Sequence, residues 1–132
     1  MKFKLTILLF FSVIGFCLSQ TQYDMNSEAF EEYKKADQEL NQIYQKILVE
    51  YKSDTLFINN LRKAQRIWVQ FRDAELAMKY PEKGPRYYGS IHPMCVSNYL
   101  AFLTYQRIKT LKEWTEGTIE GDVCSGSVKI NY

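Results

Sequence analysis

Apolar side chains recur every three or four residues along three stretches of similar length, which is the spacing that places them on one face of an α-helix. The three stretches are residues 26–51, 55–79 and 93–116. Asp24 or Asn26 is a candidate cap for the first helix, and Asp54 for the second. Pro81 ends the second helix, and Pro93 fits the first turn of the third. Helices of nearly equal length predict an all-α fold, a three-helix antiparallel bundle.

We expect all three apolar stripes to face one core. The stripe of the second helix consists of Phe57, Leu61, Ala64, Trp68, Phe71 and Met78. The stripe of the third consists of Val96, Leu100, Leu103, Leu111 and Trp114. Residues 117–132 lack this periodicity and contain three glycines, so they predict an irregular C-terminal tail, with a short extended piece near residues 128–132.

Polar residues share these stripes at several positions. They are Asp37, Asn41, Gln65, Arg72, Asp73, Thr104 and Arg107. Polar groups on a core-facing stripe are costly unless they satisfy one another. We therefore interpret the set as a structural polar core of mutual ion pairs and hydrogen bonds, with a binding role or an acid/base site as the alternatives.

The first nineteen residues have the pattern of a secretory signal peptide. Lys2 and Lys4 precede an apolar run over residues 5–16, and Cys17-Leu18-Ser19 ends it with small residues. The run is shorter than the roughly 20 residues of a membrane span. We expect cleavage after Ser19, one domain over residues 20–132, a secreted or periplasmic location and no membrane span after cleavage. A lipid anchor at Cys17 is disfavoured because the preceding Phe16 is bulky.

Removal of the signal changes both the charge and the cysteine count. The chain has 17 basic and 15 acidic residues, and loss of Lys2 and Lys4 leaves 15 of each, so nothing favours nucleic acid as a partner. Of three cysteines, Cys95 and Cys124 remain, and an even count in an exported chain favours one disulfide. That bridge would tether the tail. Two thiols or a redox pair are the alternative.

The segment 80–92 is the most plausible recognition surface. It contains Lys83, Arg86, Tyr87, Tyr88 and His92 between prolines and glycines. Tyrosine and arginine dominate interface hot spots, and a proline-restrained loop loses less entropy on binding. In the competing interpretation Tyr87 and Tyr88 pack onto the end of the bundle, with no partner.

Motifs for catalysis are lacking. His92 is the only histidine, which excludes a multi-histidine zinc site, and it is expected to be exposed before Pro93. The sequence contains no nucleophile elbow, phosphate loop or dinucleotide fingerprint. We therefore expect no enzyme, no metal and no cofactor.

The residues assembled above resemble the LprI-type lysozyme-inhibitor N-terminal domain family of secreted bacterial proteins. The matching pieces are Met25-Asn26, Tyr33, Ala36-Asp37, Leu40-Asn41, Tyr44, Ala64-Gln65, Trp68, Phe71-Arg72-Asp73, Gly89-Ser90, Leu103-Thr104 and Arg107. Many relatives carry cysteines where this chain has Leu76 and Tyr99, which suggests that a family bridge is replaced here by Cys95–Cys124.

The resemblance implies a helical, exported protein that acts by binding. The specific activity that we expect from this resemblance is inhibition of a lysozyme-like muramidase through the 80–92 loop, with Lys83, Arg86 or His92 at the tip. The alternative is a structural or envelope-stress accessory domain that binds another envelope protein without inhibiting an enzyme. Fold transfers well within such a family and function poorly.

Overall fold

The computed structural model of the protein describes the backbone of residues 2–121 and 123–131 and the side chains of residues 21–121 and 123–131. Its helices are α1 (Lys2–Glu50), α2 (Thr55–Lys79) and α3 (His92–Glu116), and its strands are β1 (Thr118–Ile119) and β2 (Ile130–Asn131). The prediction of an all-α protein with three helices is confirmed. Within the described part of the chain, no helix has the length and apolarity needed to cross a membrane.

Helix α1 extends further toward the N-terminus than residue 26, where the sequence pattern placed its start. Asp24 and Asn26 therefore lie inside the helix and cap nothing, because the following amides, from which a cap would accept, already donate to carbonyls of the preceding turn. Asn26 instead accepts a hydrogen bond from Gln22 (2.9 Å) and donates one to the carbonyl of Ser90 (3.1 Å). The predicted signal peptide, residues 1–19, lies outside the residues whose side chains are described.

Helices α1 and α3 run parallel and pack closely, and α2 returns antiparallel between them in the chain order. The contacts show this parallel direction: Asn26, in the middle of α1, bonds to Ser90 just before α3, and Tyr51, just after α1, bonds to Trp114 near the end of α3. Small residues at the contact, such as Ala36 and Ala101, let the backbones approach. The core cluster consists of Leu40, Ile47, Leu61, Ile108 and Leu111.

Helix α2 contributes fully buried residues to this core only near its beginning, and Trp68 farther along packs against the core while partly exposed. Asp54 caps it by accepting a hydrogen bond from the amide of Phe57 (2.9 Å), and its buried residues are Ile58 and Leu61. Farther along, Phe71 is 52% and Met78 70% exposed. The expectation that the whole α2 stripe faces the core is wrong, because the side of α2 that carries Phe71 and Met78 faces solvent. A neighbouring side of α2 stays in contact with the other helices, through Arg72 with Tyr33 of α1 and Glu75 with Tyr99 of α3.

The tail folds back onto the end of the bundle without a disulfide. Its strands β1 and β2 pair in parallel, which agrees with the predicted extended piece. Trp114 Nε1 donates to Ser127 Oγ (3.0 Å), Lys129 pairs with Glu50 (2.9 Å), and the Tyr51 hydroxyl accepts from the amide of Lys129 (3.0 Å). Side-chain and backbone hydrogen bonds therefore hold the tail.

The predicted Cys95–Cys124 bridge is not supported, since both cysteines are present as thiols. Cys95 lies in the first turn of α3, and Cys124 lies in the tail beyond its last turn. From Cys95 to Trp114 the helix rises roughly 28 Å at 1.5 Å per residue, whereas a disulfide requires Cα atoms within about 7 Å. The length of α3 keeps the two thiols at opposite ends of the bundle.

Candidate functional site

The 80–92 loop leaves α2 at Tyr80 and enters α3 at His92 through consecutive tight turns. The amide of Tyr87 donates to the carbonyl of Gly84 (3.4 Å), and that of Gly89 donates to the carbonyl of Arg86 (3.1 Å). Gly84 and Gly89 have positive φ angles (93° and 73°), the conformation that glycine adopts without a steric penalty. Arg86 also has a positive φ angle, 66°, which costs an ordinary residue about 1–2 kcal/mol.

Aromatic rings form the base of the loop. Tyr88 stacks on His92 (ring centroids 4.6 Å apart) and meets Tyr80 edge-on (5.6 Å). Its hydroxyl donates to the carbonyl of Pro81 (2.8 Å), which ties the two ends of the loop together. Partial burial, and then the neighbouring Tyr87, raise the pKa of Tyr88, so its hydroxyl remains a donor at neutral pH. Tyr88 thus has a structural role in holding the loop.

His92 belongs to this base rather than to the tip. It is half-buried, its Nε2 atom is buried without a hydrogen-bond partner among the described residues, and its ring also contacts Tyr80 (5.2 Å). The expectation of an exposed histidine is wrong, because His92 is the first residue of α3 and its ring packs against Tyr88 and Tyr80.

The exposed side chains of the loop include Glu82, Lys83, Arg86 and Tyr87, and Tyr87 is 65% exposed. Tyr87 touches Tyr88 edge-on at 4.9 Å, so its ring rests on the base while most of it faces solvent. The tip therefore combines two cations and one aromatic ring with the carboxylate of Glu82 beside them. Of the two tyrosines, Tyr88 packs inward and Tyr87 faces outward, and the recognition role of the loop stays a prediction.

The loop is also anchored to the rest of the bundle. The side chain of Asn26 on α1 donates to the carbonyl of Ser90. At the end of α2, the Lys79 ammonium group lies over the ring of Tyr99 on α3, 3.7 Å from its centroid, and Tyr99 in turn donates to Glu75 (3.1 Å). One contact therefore ties the loop to α1, and the others hold together the two helices that the loop connects.

The predicted polar core is divided into separate local contacts. Asn41 donates to Asp37 on the same exposed face of α1 (3.2 Å). Arg72 makes two hydrogen bonds to its neighbour Asp73 (2.9 and 2.7 Å) and one to the hydroxyl of Tyr33 (3.4 Å). No ion pair joins Asp37 to either arginine within the described residues.

The remaining three residues of that set lie deeper in the bundle. Arg107 Nε donates to Gln65 Oε1 (3.1 Å), and burial lowers the pKa of Arg107. Thr104 is 0% exposed, and its hydroxyl has no hydrogen-bond partner among the described residues. The structure brings Gln65 and Arg107 together and leaves Thr104 apart from them.

A concave surface between α2 and α3, which we call the α2–α3 groove, was not predicted from the sequence. It is lined mainly by Phe57, Leu61, Ala64, Arg107, Leu111 and Trp114, and its volume is ≈ 390 Å³. The sequence indicates the apolar stripe of each helix. It does not indicate that α2 stands far enough from α3 to leave a space between the stripes.

Comparisons with known proteins place these features in a family context. A protein-family model described as "Lysozyme inhibitor LprI" matches residues 17–111. An uncharacterized protein of Rhizobium meliloti (strain 1021), R02472, is 33% identical over 108 residues, which cover 73% of this chain and 75% of that protein. No solved structure matches the chain significantly. The matched segment contains α2, the 80–92 loop and most of α3.

Proposed function

Because this chain belongs to the lysozyme inhibitor LprI family, we propose that it is an exported binding protein that inhibits a lysozyme-like muramidase through the 80–92 loop. The description of the family supports the class of partner. The signal-peptide pattern of residues 1–19 supports export to the compartment in which such enzymes meet the cell wall.

The fixed, outward-facing tip of the loop carries this proposal. Lys83, Arg86 and Tyr87 are exposed, while Tyr88 and His92 stack beneath them. A tip that is already ordered loses little conformational entropy when a partner binds, so more of its contact energy appears as affinity. Arginine and tyrosine are also enriched among the residues that dominate binding energy.

The chemistry of the tip fits the active site of a muramidase. Glycosidases of this class hold two carboxyl groups beside the scissile bond. The guanidinium group of Arg86 presents donors in a planar fork that matches a carboxylate bidentately, and Lys83 adds a second positive charge. When these cations occupy the cleft, they exclude the substrate and form ion pairs with the two catalytic carboxyl groups.

Long-range attraction contributes little in this mechanism. The chain from residue 20 onward has 15 basic and 15 acidic residues, a formal net charge of zero. Without a net field to steer association, affinity arises from short-range contacts at the tip. We therefore expect the association rate to vary only weakly with ionic strength.

The charged residues of the helices have structural roles in this proposal. The Asp37–Asn41 and Arg72–Asp73 contacts satisfy the carboxylates locally, and Gln65 orients Arg107. These local contacts stabilise the bundle and leave Asp37, Arg72 and Asp73 with structural partners. The protein then acts by binding and not by catalysis.

A lysis assay with the mature protein, residues 20–132, tests the proposal directly. We expect inhibition of a lysozyme acting on a cell-wall suspension. Loss of a central arginine contact of about 2 kcal/mol corresponds to a roughly 30-fold weaker inhibition constant for Arg86→Ala. Lys83→Ala should have a smaller effect. Arg62→Ala, an exposed arginine on α2 outside the loop, is the matched control.

Two results would contradict the proposal. One is the absence of inhibition by the wild-type protein at micromolar excess over the enzyme. The other is equal inhibition by Arg86→Ala and Arg62→Ala, which would show that the interface lies outside the loop.

One observation favours the alternative function, an envelope accessory domain. Ile67, Phe71 and Met78 are exposed and share one face of α2, a continuous apolar surface of the kind that contacts other proteins. A Phe71→Ser/Met78→Ser variant separates the two functions. If the accessory role is correct, the variant loses cross-linking to an envelope protein. If inhibition through the loop is correct, its inhibition of lysozyme is unchanged.

A further inference from the structure

The α2–α3 groove has the form of a ligand site. Its volume of ≈ 390 Å³ falls within the range of roughly 300–1,000 Å³ that small-molecule pockets occupy. Its walls are mostly apolar, and a single cationic side chain, Arg107, is among them. The groove lies beside the tail, at the opposite end of the bundle from the 80–92 loop.

Because α2 and α3 are antiparallel, different pairs of residues face each other at different points along the groove. Phe57, near the start of α2, faces Trp114, near the end of α3, with ring centroids 6.2 Å apart. Gln65, two turns further along α2, meets Arg107, two turns back along α3. The seven residues from Arg107 to Trp114 rise about 10 Å. One end of the groove is therefore aromatic and the other is cationic, with Leu61 and Leu111 between them.

Arg107 lacks an acidic partner. Its Nε donates to the neutral Gln65 amide, and no carboxylate within the described residues lies within ion-pair distance of its guanidinium group. The side chain is half-buried, and an arginine stays charged in proteins. A partly desolvated cation without a counter-charge is unfavourable, so an anion that reached it would gain a charge-assisted hydrogen bond.

We propose that the α2–α3 groove binds a single-chain amphiphile with an anionic head group. The head pairs with Arg107, and the chain lies along Leu61 and Leu111 toward Phe57 and Trp114. Asp54 lines the far end of the groove, and its negative charge disfavours the reversed orientation. This inference is independent of muramidase inhibition, because the loop and the groove share no residue and each can fail alone.

Calorimetric titration of the mature protein with three ligands of equal chain length tests the proposal. The ligands are octanoate, octanol and octyltrimethylammonium, each below its micelle concentration. We expect octanoate to bind about tenfold or more tightly than octanol, the ratio that a charge-assisted hydrogen bond supports. The cation should bind most weakly. Methyl resonances of Leu61 and Leu111 should shift on octanoate binding.

Two variants assign the effect to the groove. Arg107→Gln should reduce octanoate affinity to that of octanol and leave octanol binding unchanged. Lys109→Gln is the matched control, because it removes the same charge from an exposed position two residues away on α3. Ala64→Phe fills the groove from its rim and should weaken both ligands. Circular dichroism checks that each variant is folded.

The proposal is overturned if octanoate binds no better than octanol to the wild-type protein. It is also overturned if Arg107→Gln and Lys109→Gln have equal effects, or if the shifted resonances lie outside the groove. The comparison of the three ligands on the unmodified chain decides the question even if Arg107→Gln fails to fold.

Discussion

The hydroxyl of Tyr51 joins the tail to the bundle, so its removal is a sharp test of how the tail is held. It donates to the carbonyl of Trp114 (3.0 Å) and accepts from the amide of Lys129 (3.0 Å). Tyr51→Phe deletes both hydrogen bonds and keeps the ring, which contacts Phe57 at a centroid distance of 4.7 Å. The substitution therefore isolates the hydroxyl from the packing.

The expected cost follows from the two lost bonds. A typical intramolecular hydrogen bond contributes about 0.5–1.5 kcal/mol net. Tyr51 is only partly buried, so water can replace some of the loss. We expect the free energy of unfolding to fall by about 1–2 kcal/mol, which for a domain of this size lowers the Tm by roughly 4–8 °C.

Urea denaturation followed by circular dichroism measures this change, and hydrogen exchange localises it. The slope with urea should not change, because the surface exposed on unfolding is nearly the same. The amide of Lys129 should exchange faster in the variant. Tyr44→Phe is the matched control, since its ring packs on the core while its hydroxyl makes no hydrogen bond among the described residues. Equal stabilities of the two variants would show that the Tyr51 hydroxyl does not help to hold the tail.

Three further predictions concern the core, the surface charges and the cysteines. Ile47 is 0% exposed, so Ile47→Ala should destabilise the fold by about 2–5 kcal/mol, whereas Phe71→Ala on the exposed face of α2 should cost far less; equal losses in urea denaturation would contradict the packing described. The Tyr105 hydroxyl donates to Glu32 (2.6 Å), which lowers the pKa of Glu32 and raises the pKa of Tyr105 to about 12. The contribution of Glu32 to stability is therefore present above pH 4.5 and is lost as the pH falls through its lowered pKa, and that of Tyr105 is lost as the pH rises through about 12. In Tyr105→Phe, NMR titration should find the Glu32 pKa higher than in the wild-type protein, and an unchanged value would exclude the contact. Peptide mapping without reductant should find no Cys95–Cys124 cross-link, and Cys124, which is exposed, should be alkylated faster than the half-buried Cys95; recovery of the cross-linked peptide would refute the placement of the thiols at opposite ends.

Much of the candidate loop could be predicted from its residues. Pro81, Gly84 and Gly89 indicate an irregular connection, and the structure places the polar side chains Lys83 and Arg86 in solvent there. The stacking of Tyr88 on His92 could not be predicted. It depends on where the end of α2 and the start of α3 stand relative to each other, and no local pattern specifies that distance.

The polar residues of the helices show the same limit. Helical spacing correctly placed Asn41 one turn from Asp37, where the two hydrogen-bond. It could not show that Arg72 pairs with its neighbour Asp73, or that Arg107 meets Gln65 and no carboxylate. Those partners depend on how each helix is rotated about its own axis. The spacing of residues within one helix does not specify that rotation.

The order of the residues is enough to predict the elements: three helices, where α2 and α3 begin and end, and an aperiodic tail. Helix formation depends on neighbours three and four positions apart, which the chain order contains. The packing of the helices does not follow from that order: α1 and α3 bury each other, α2 leaves the face that carries Phe71 and Met78 in solvent, and Cys95 and Cys124 lie far apart. Which apolar faces pair depends on how much apolar area each pairing removes from water. That area depends on segments that are distant in the chain. The α2–α3 groove and its unpaired Arg107 are products of that competition.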